Sequence, residues 1–428
     1  MSVAGLLLLL FALVAIDVPI AVALGLVGVA AIVLTQGTDM LANVALVMFD
    51  GATKFPLIAI PLFIFAGAIM NSSGISRRLI AFASALVGFV RGGLAMVNIA
   101  TSLFFAEISG SAVADVAALG SILIPAMKRK GYPGPFAAAV TSSSATLAVI
   151  IPPSIPMILY AVMAESSVVK LFVAGIVPGL LGGLLMMALA YWFARRRDYP
   201  VEETFALARL WAAFKDAAWA FVMPLIILGG IFGGLVTATE GAGLAVVAAL
   251  VIGGLVYREL TWPHLRAAMV EGSVQTAVVM LLVAASALVG TYLTEAQVPQ
   301  RLAAAVIGLT HNKWAVLGLL NVFFLIAGLF LHSAAAIILI VPIVMPVVQA
   351  VGIDPVHFGI VVTLNLGIGQ QTPPVASVLV TACSVAKADI WEVSKVNVYF
   401  IGVLFAVLMM VTYLPESALA LVSLFYGR

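Results

Sequence analysis

TSSSATLAVIIPPS (residues 141–154) and TLNLGIGQQTPP (residues 363–374) are polar runs that each end on a Pro-Pro pair inside a strongly apolar chain. Proline has no amide hydrogen and clashes with the carbonyl four residues earlier, so neither run continues as an unbroken helix. Pro152 and Pro153 are expected to free the carbonyls of Ala148 and Val149, and Pro373 and Pro374 those of Gly369 and Gln370. Freed carbonyls beside hydroxyl and amide oxygens suit a hard monovalent cation such as sodium. The helix that restarts after each break turns its amide hydrogens toward an anion. The competing reading is a plain proline kink between packed helices. Two such kinks at matched positions beside polar runs favour a site.

The match extends outward. Setting Pro125 on Pro346 brings Gly131 onto Gly352, Ser142 onto Thr363, Ser144 onto Asn365 and Pro152-Pro153 onto Pro373-Pro374 without a gap. GISRRL (74–79) resembles QVPQRL (297–302) at nearly the same offset, and the break at Asp17 and Pro19 falls near Thr239 and Glu240. The chain is therefore expected to hold two repeats, 1–215 and 216–428. Each would carry a re-entrant hairpin (about 106–128 and 331–349) and a Pro-Pro-broken helix (about 134–163 and 354–386).

The 428 residues are 64% hydrophobic and 9% charged, and the mean hydropathy is +1.24, which places the chain in a bilayer. Apolar runs at 3–16, 18–35, 55–71, 218–236, 241–257, 274–293 and 397–413 read as membrane helices, several short enough to be tilted or broken. They are continuous and do not alternate, which excludes a barrel. The N-terminus lacks a basic region and a small-residue cleavage site and reads as a retained membrane segment. A net charge of +2 speaks against a nucleic-acid partner, and Cys383 alone offers neither a disulfide nor a Cys-based metal site. Stretches near 37–53, 203–216 and 260–272 are moderately amphipathic and are expected to lie on the membrane surface.

Charge sets the orientation. With 128–130 and 195–197 both cytoplasmic, about fifteen of the 20 basic residues fall inside, leaving Lys54, Arg91, Lys170, Arg301 and Arg428 outside. The loop after the first hairpin is then cytoplasmic and its counterpart at 349–355 periplasmic, so the two repeats have inverted topology. Such repeats build alternating access around a midplane site.

Residues 105–115 place Glu107, Ser109, Gly110, Ser111 and Asp115 between apolar stretches, where polar groups need partners. A Ser-Gly-Ser hairpin tip explains them; a helix capped by Ser109 or Ser111 is the plainer alternative. Asp17 and Glu240 sit at corresponding breaks and are weaker candidates. His332 opens the second hairpin and is either a site residue or a satisfied core histidine. No Walker motif, HExxH, GxSxG elbow or Cys-His cluster is present, so direct use of ATP is not expected. An embedded enzyme built on Glu107, Asp115 or His332 lacks a nucleophile, metal or acid-base set.

Taken together, SGSAVADVAALGSILIPAMKRKGY (109–132), IIPPSIPMILY (150–160) and GIDPVHFGIVVTLNLGIGQQTPPVASVL (352–379) resemble the large membrane subunit of tripartite ATP-independent periplasmic (TRAP) transporters, over essentially the whole chain. The resemblance implies an all-α multi-pass protein of the bacterial inner membrane, with a transport domain sliding on a scaffold as an elevator. It implies import of an organic acid, often a C4-dicarboxylate or a sialic acid, with sodium as coupling ion and no other cofactor. The implied partners are a periplasmic substrate-binding protein and a small four-helix membrane subunit. One sodium site would use Ser109, Gly110, Ser142, Ser144 and the carbonyls of Ala148 and Val149; the other Asn365, Gly369 and Thr372, beside Ser333. Substrate contacts would fall to Ser111, Ser154, His332, Ser333, Gln370 and Gln371. The chain departs from the family at His332, where an acidic residue is usual, at Ala145 and Ala148, where glycines often stand, and at Gln370-Gln371, which replace an apolar pair. A binding-protein-independent elevator carrier or exchanger of dicarboxylates is the alternative.

Overall fold

The computed structural model describes residues 3–16, 18–109, 112–201 and 204–427, with the backbone alone at 105–109 and a few other positions. Among the described residues the regular structure is entirely helical, and eight helices are long and apolar enough to cross a membrane. The chain is a multi-pass membrane protein. Its helices are apolar nearly all round, as segments bounded by lipid on one side and by other helices on the other must be. Leu225, Leu255, Val278 and Val398 are exposed, whereas Phe136, Tyr160, Phe172, Phe324, Phe358 and Phe400 are fully buried.

Helix starts are set by familiar local chemistry. Ser154, Ser167, Asn312, Asp354 and Asp389 each accept a backbone N–H at an N-cap. Thr237 and Glu240 form a reciprocal capping box. Glu240 is thereby a capping residue, and Asp17 lies outside the described residues.

The elements recur. Helices Gly93–Ser109, Ala112–Arg129, Gly134–Ala145, Ile155–Met163 and Val168–Arg196 are followed by Lys313–Phe330, Ser333–Ala350, Pro355–Gly369, Ser377–Ala386 and Ile390–Tyr413, each beginning 220 to 222 residues after its counterpart. Gly131 (φ 87°) and Gly352 (φ 69°) take the same left-handed turn after the two hairpins. Gly74 (φ 70°) and Gln297 (φ 54°) do so at the starts of helices Ile75–Val87 and Val298–Leu309.

Three expectations need revision. Each hairpin has a full first arm, Gly93–Ser109 or Lys313–Phe330, that begins upstream of the expected boundary; no proline or glycine break inside either arm marks it in the sequence as part of a hairpin. The stretches 203–216 and 260–272 are not separate surface helices but the leading turns of Leu207–Phe232 and Trp262–Glu295, because no breaker interrupts either between its polar start and its apolar body. At 1.5 Å per residue the latter is about 51 Å long, well beyond the ~30 Å hydrocarbon layer. Finally, a division between 215 and 216 would cut the continuous helix Leu207–Phe232; the chain is interrupted earlier, between Arg196 and Leu207.

The helices pack as two groups. Ile20–Gln36, Leu41–Ala52 and Ala59–Ser72 pack on Trp262–Glu295, Ala238–Val251 packs on Ala59–Ser72, and Leu207–Phe232 packs on Ala238–Val251. The hairpins, the broken helices and the helices that follow them form the other group. Ile75–Val87 and Val298–Leu309 sit at the junctions, the first packing on Leu207–Phe232 and Gly93–Ser109, the second on Ser333–Ala350. One end of the first group is tied by ions: Glu259 accepts from Arg77 and Arg78, both at 2.8 Å, and Arg78 reaches Asp216 at 3.2 Å while stacking on Tyr257.

Candidate ion and substrate site

The first break follows the expected course. Helix Gly134–Ala145 tightens through Thr146–Val149, passes Pro152-Pro153 and restarts at Ile155. Ser154 closes the gap twice over: its Oγ donates to the Val149 carbonyl at 2.7 Å and accepts from Met157 N at 3.4 Å. One lone pair of Val149 is therefore taken by the next helix's cap. In the second break the freed carbonyls are also re-used, Gly369 O by Thr372 N (3.0 Å) and Gln370 O by Val378 N (3.2 Å). Thr372 Oγ1 donates to Ile368 O at 3.0 Å. A carbonyl has two lone pairs, so these bonds narrow the ion-binding capacity of the breaks without abolishing it.

Between the breaks lies a buried polar network. Gln371 Nε2 donates to Thr146 Oγ1 at 2.6 Å, and its Oε1 accepts from Asn397 Nδ2 at 3.3 Å. Ser143 Oγ lies 2.9 Å from Gln371 Oε1 and 2.7 Å from Asn397 Oδ1, its one proton serving either. Ser142 Oγ is 3.5 Å from the same Asn397 oxygen. The network joins both breaks to the helix Ile390–Tyr413.

Ser142 and Ser144, expected to share an ion, face different ways. Ser144 Oγ pairs with Ser102 Oγ at 2.8 Å, and one turn away Asn98 Nδ2 donates to Thr141 Oγ1 at 2.6 Å. Both partners lie on the first arm of the first hairpin. In the second half, Asn365 Nδ2 donates to Asn321 Oδ1 at 2.6 Å, and Asn321 Nδ2 to Thr412 Oγ1 at 3.0 Å. Each cluster keeps a buried carbonyl oxygen with no donor, Asn98 Oδ1 in one and Asn365 Oδ1 in the other; Thr101 Oγ1 is likewise without a partner. Such an atom costs about 1–3 kcal/mol unless something occupies it. A desolvated monovalent cation, which wants oxygen ligands and no protons, fits both places. Asn98, Thr101, Ser102, Asn321 and Asn397 carry no local signal, since none stands beside a proline break.

A third feature is a cavity of about 50 Å³ lined by Ala112, Ile155, Ser333, His332, Val149 and Gln370, together with Pro156, Val279 and Ala334. It brings the expected residues His332, Ser333, Val149 and Gln370 together. Gln371 and Thr372 instead line a separate 620 Å³ cavity beside Pro373, Trp391 and Asn397. His332 caps Ser333–Ala350, its Nδ1 accepting from Ala334 N at 3.4 Å. Gln370 is 3% exposed, and its Nε2 has no hydrogen-bond partner. Gly110 and Ser111 lie outside the described residues, as do the side chains of Glu107 and Ser109; Asp115 is buried in the first turn of its helix.

Comparison with known proteins agrees with this architecture. Residues 7–417 match the family described as "Tripartite ATP-independent periplasmic transporter, DctM component". The isethionate TRAP transporter permease protein DctMQ of Oleidesulfovibrio alaskensis is 44% identical over 94% of this chain, which spans 63% of that protein's length. The C4-dicarboxylate large permease DctM of Pseudomonas aeruginosa is 39% identical over 93% of each chain, and the sialic acid large permease SiaM of Vibrio cholerae is 36% identical over 100% of this chain and 99% of that one. Among solved structures, the Alcanivorax borkumensis YdaH transporter shares the fold, with a TM-score of 0.63 at 16% identity, covering 92% of this chain and 90% of that one. With the family matched along nearly its whole length and the paired breaks in place, the chain belongs to the DctM component family of tripartite ATP-independent periplasmic transporters.

Proposed function

We propose that this chain is the permease subunit that carries an organic acid across the bacterial inner membrane by sodium symport. The observation that carries the reading is the pair of buried oxygen clusters between the first arm of each hairpin and the broken helix it packs on, each holding an asparagine oxygen without a donor, on the arm (Asn98) in the first half and on the broken helix (Asn365) in the second. Oxygen-only sites of low charge inside an apolar bundle suit a monovalent cation and explain why such costly polar groups are kept in lipid. The relatives' names bound the cargo to compact organic anions, from isethionate and C4-dicarboxylates to sialic acid.

The movement would be an elevator. Its support is the division into two helix groups that meet at Ile75–Val87, at Val298–Leu309, and where Trp262–Glu295 packs on Ser333–Ala350 and Ala59–Ser72 on Gly93–Ser109, one bearing the buried polar clusters described above and the other tied to Ile75–Val87 by the Arg78 ion cluster. On the charge-derived orientation the two repeats are inverted. A periplasmic binding protein would deliver the acid and a small membrane subunit would extend the fixed group, as the tripartite family description supports.

The test is uptake in liposomes holding the chain with its two partners, with a panel of radiolabelled organic acids. An inward sodium gradient is expected to drive accumulation of at least one acid. Accumulation that follows a proton gradient and ignores sodium would overturn the ion assignment.

A further inference from the structure

The helices Ile75–Val87 and Val298–Leu309 hold the same place in the two halves and differ in how their charges are held. Each follows a left-handed residue, Gly74 or Gln297, and carries an arginine four residues on from it, Arg78 or Arg301. Arg78 is clamped. Its side chain is 14% exposed, held by Glu259 at 2.8 Å and Asp216 at 3.2 Å, and its guanidinium lies on the Tyr257 ring. Arg301 is exposed, and among the described residues it has no ion-pair partner.

The acidic side of the clamp also has a counterpart. Glu259 stands three residues before Trp262, in the turn that follows Ala238–Val251 and its last residues 252–256. The corresponding turn follows Ile20–Gln36 and ends at Leu41, 221 residues before Trp262, and its one acidic residue is Asp39. Asp39 is exposed and, among the described residues, likewise without an ion-pair partner.

Both turns are aimed by the same kind of helix packing. Gly253 lies so close to Ser73 that a Cβ on it would stand 2.5 Å from the Ser73 Cβ, and Glu259 N donates to the Gly253 carbonyl at 3.0 Å. That contact brings the Glu259 turn to the start of the helix bearing Arg78. In the other half, Ile20–Gln36 runs along Trp262–Glu295 in the same direction, with Gly25 facing Ala285 and Gly28 facing Leu288. At equal rise per residue the end of the first helix, Gln36, comes level with Ala296, so the Asp39 turn leaves at the level where the helix bearing Arg301 begins.

Inverted repeats change access by exchanging the conformations of their halves. Here one half has its arginine clamped and the other does not. We propose that Arg301 and Asp39 form the matching clamp in the opposite conformation, with the Arg78 clamp released, so that two mutually exclusive ion pairs hold the two ends of the transport cycle. On the charge-derived orientation the Arg78 clamp is cytoplasmic and the Arg301 clamp periplasmic. The second clamp is the weaker, because Gln300 stands where Arg77 does and Asp39 gains one arginine where Glu259 has two. The inference rests on the elevator reading above.

The experiment uses the full-length chain, purified in detergent and also reconstituted with its partners in liposomes. On a Cys383→Ala background, oxidation of Asp39→Cys with Arg301→Cys to a disulfide reports the opposite conformation in the purified chain. Glu259→Gln loosens the Arg78 clamp and should raise the yield of that disulfide by about 3- to 10-fold, the population shift expected when one end state loses an ion pair. In sodium-driven uptake of succinate and ethanesulfonate, Arg301→Glu and Asp39→Arg should each slow transport by about 3- to 10-fold, because each sets like charges against one another in the opposite conformation. The charge-swapped double variant should regain most of the wild-type rate, which a purely local role of either residue would not produce. Melting should be unchanged in all three, since neither side chain has a partner to lose in the present conformation. If wild type transports and the double variant does no better than the single ones, or the single ones match wild type, the pairing is wrong while the uptake reading stands. If wild type transports neither probe, the uptake reading fails for them, and the disulfide yield in the purified chain still decides the clamp. A yield that Glu259→Gln leaves unchanged means that the two pairs are not alternatives and overturns the inference.

Discussion

Gln370 and Gln371 are identical side chains on adjacent residues, and the end of the helix Pro355–Gly369 sends them to different places. The Gln371 amide makes hydrogen bonds at both ends, to Thr146 and Asn397 and within reach of Ser143. The Gln370 amide nitrogen makes none. Their leucine variants should therefore behave oppositely in the absence of substrate. Gln371→Leu strands buried groups on the first broken helix and on Ile390–Tyr413 and is expected to cost about 2–4 kcal/mol. Gln370→Leu removes a group already unsatisfied and should cost less than about 1 kcal/mol or stabilise. Denaturant titration of the detergent-solubilised chain measures both; equal losses would contradict the division of roles. Sequence alone could place this pair at the site, because two amides before a Pro-Pro break are conspicuous in an apolar chain. It could not divide them, since that depends on Asn397, twenty-six residues later in a helix that no proline interrupts. The same holds for Ser144, legible as a site residue but paired with Ser102, forty-two residues away.

Elements meet where side chains are absent or charges are paired. Gly369 faces the backbone of Gly328, and a Cβ placed there would stand 2.5 Å from the Gly328 carbonyl carbon. The second break thus lies backbone to backbone against the first arm of the second hairpin, close to Asn365 and Asn321. Gly369→Ala must push these elements apart, with an expected cost of about 1–3 kcal/mol. Because the wedge opens beside the Asn365 cluster, sodium activation of uptake should shift to higher concentration more than the KM for the acid rises. Uptake against sodium concentration reads this, and an unchanged sodium dependence would separate that cluster from the coupling ion.

The ion-tied end of the other group makes a pH prediction. The Arg78 hydrogen bond, with Arg77 beside it, holds the Glu259 carboxyl below its ordinary value. A lowered folded value means the stabilisation is present above the unfolded pKa and is lost as pH falls through the folded one. Melting of the wild type should therefore fall between about pH 5 and pH 3 more steeply than that of Glu259→Gln, the two converging at the acid end. At this scale the breaks, the turns at Gly131 and Gly352 and the second helices of both hairpins were legible, because proline and glycine mark them chemically. The first arms and the 34-residue helix Trp262–Glu295 were not, because nothing in an uninterrupted run of helix formers says where membrane ends and water begins.

At the scale of the whole molecule the crevice between the two helix groups decides the mechanism. Ser286, on Trp262–Glu295, and Ile338, on the second hairpin, line the same cavity of about 530 Å³ from opposite groups. If the group holding the breaks moves as a body past the other, these two positions must separate during each cycle. Cys383 is the sole cysteine, so Cys383→Ala gives a clean background for Ser286→Cys with Ile338→Cys. A short reducible bis-thiol reagent joining them should stop uptake, and reduction should restore it, while each single variant treated alike stays active. Full-speed uptake by the linked protein would rule out sliding between these groups. The orientation read from charge adds a check on the same variants: in the unlinked protein Ser286→Cys and Ile338→Cys should react with a membrane-impermeant thiol reagent added from the side bearing Lys54. An acid arriving from a periplasmic partner would enter from that side, past Lys54 on the wall of this cavity.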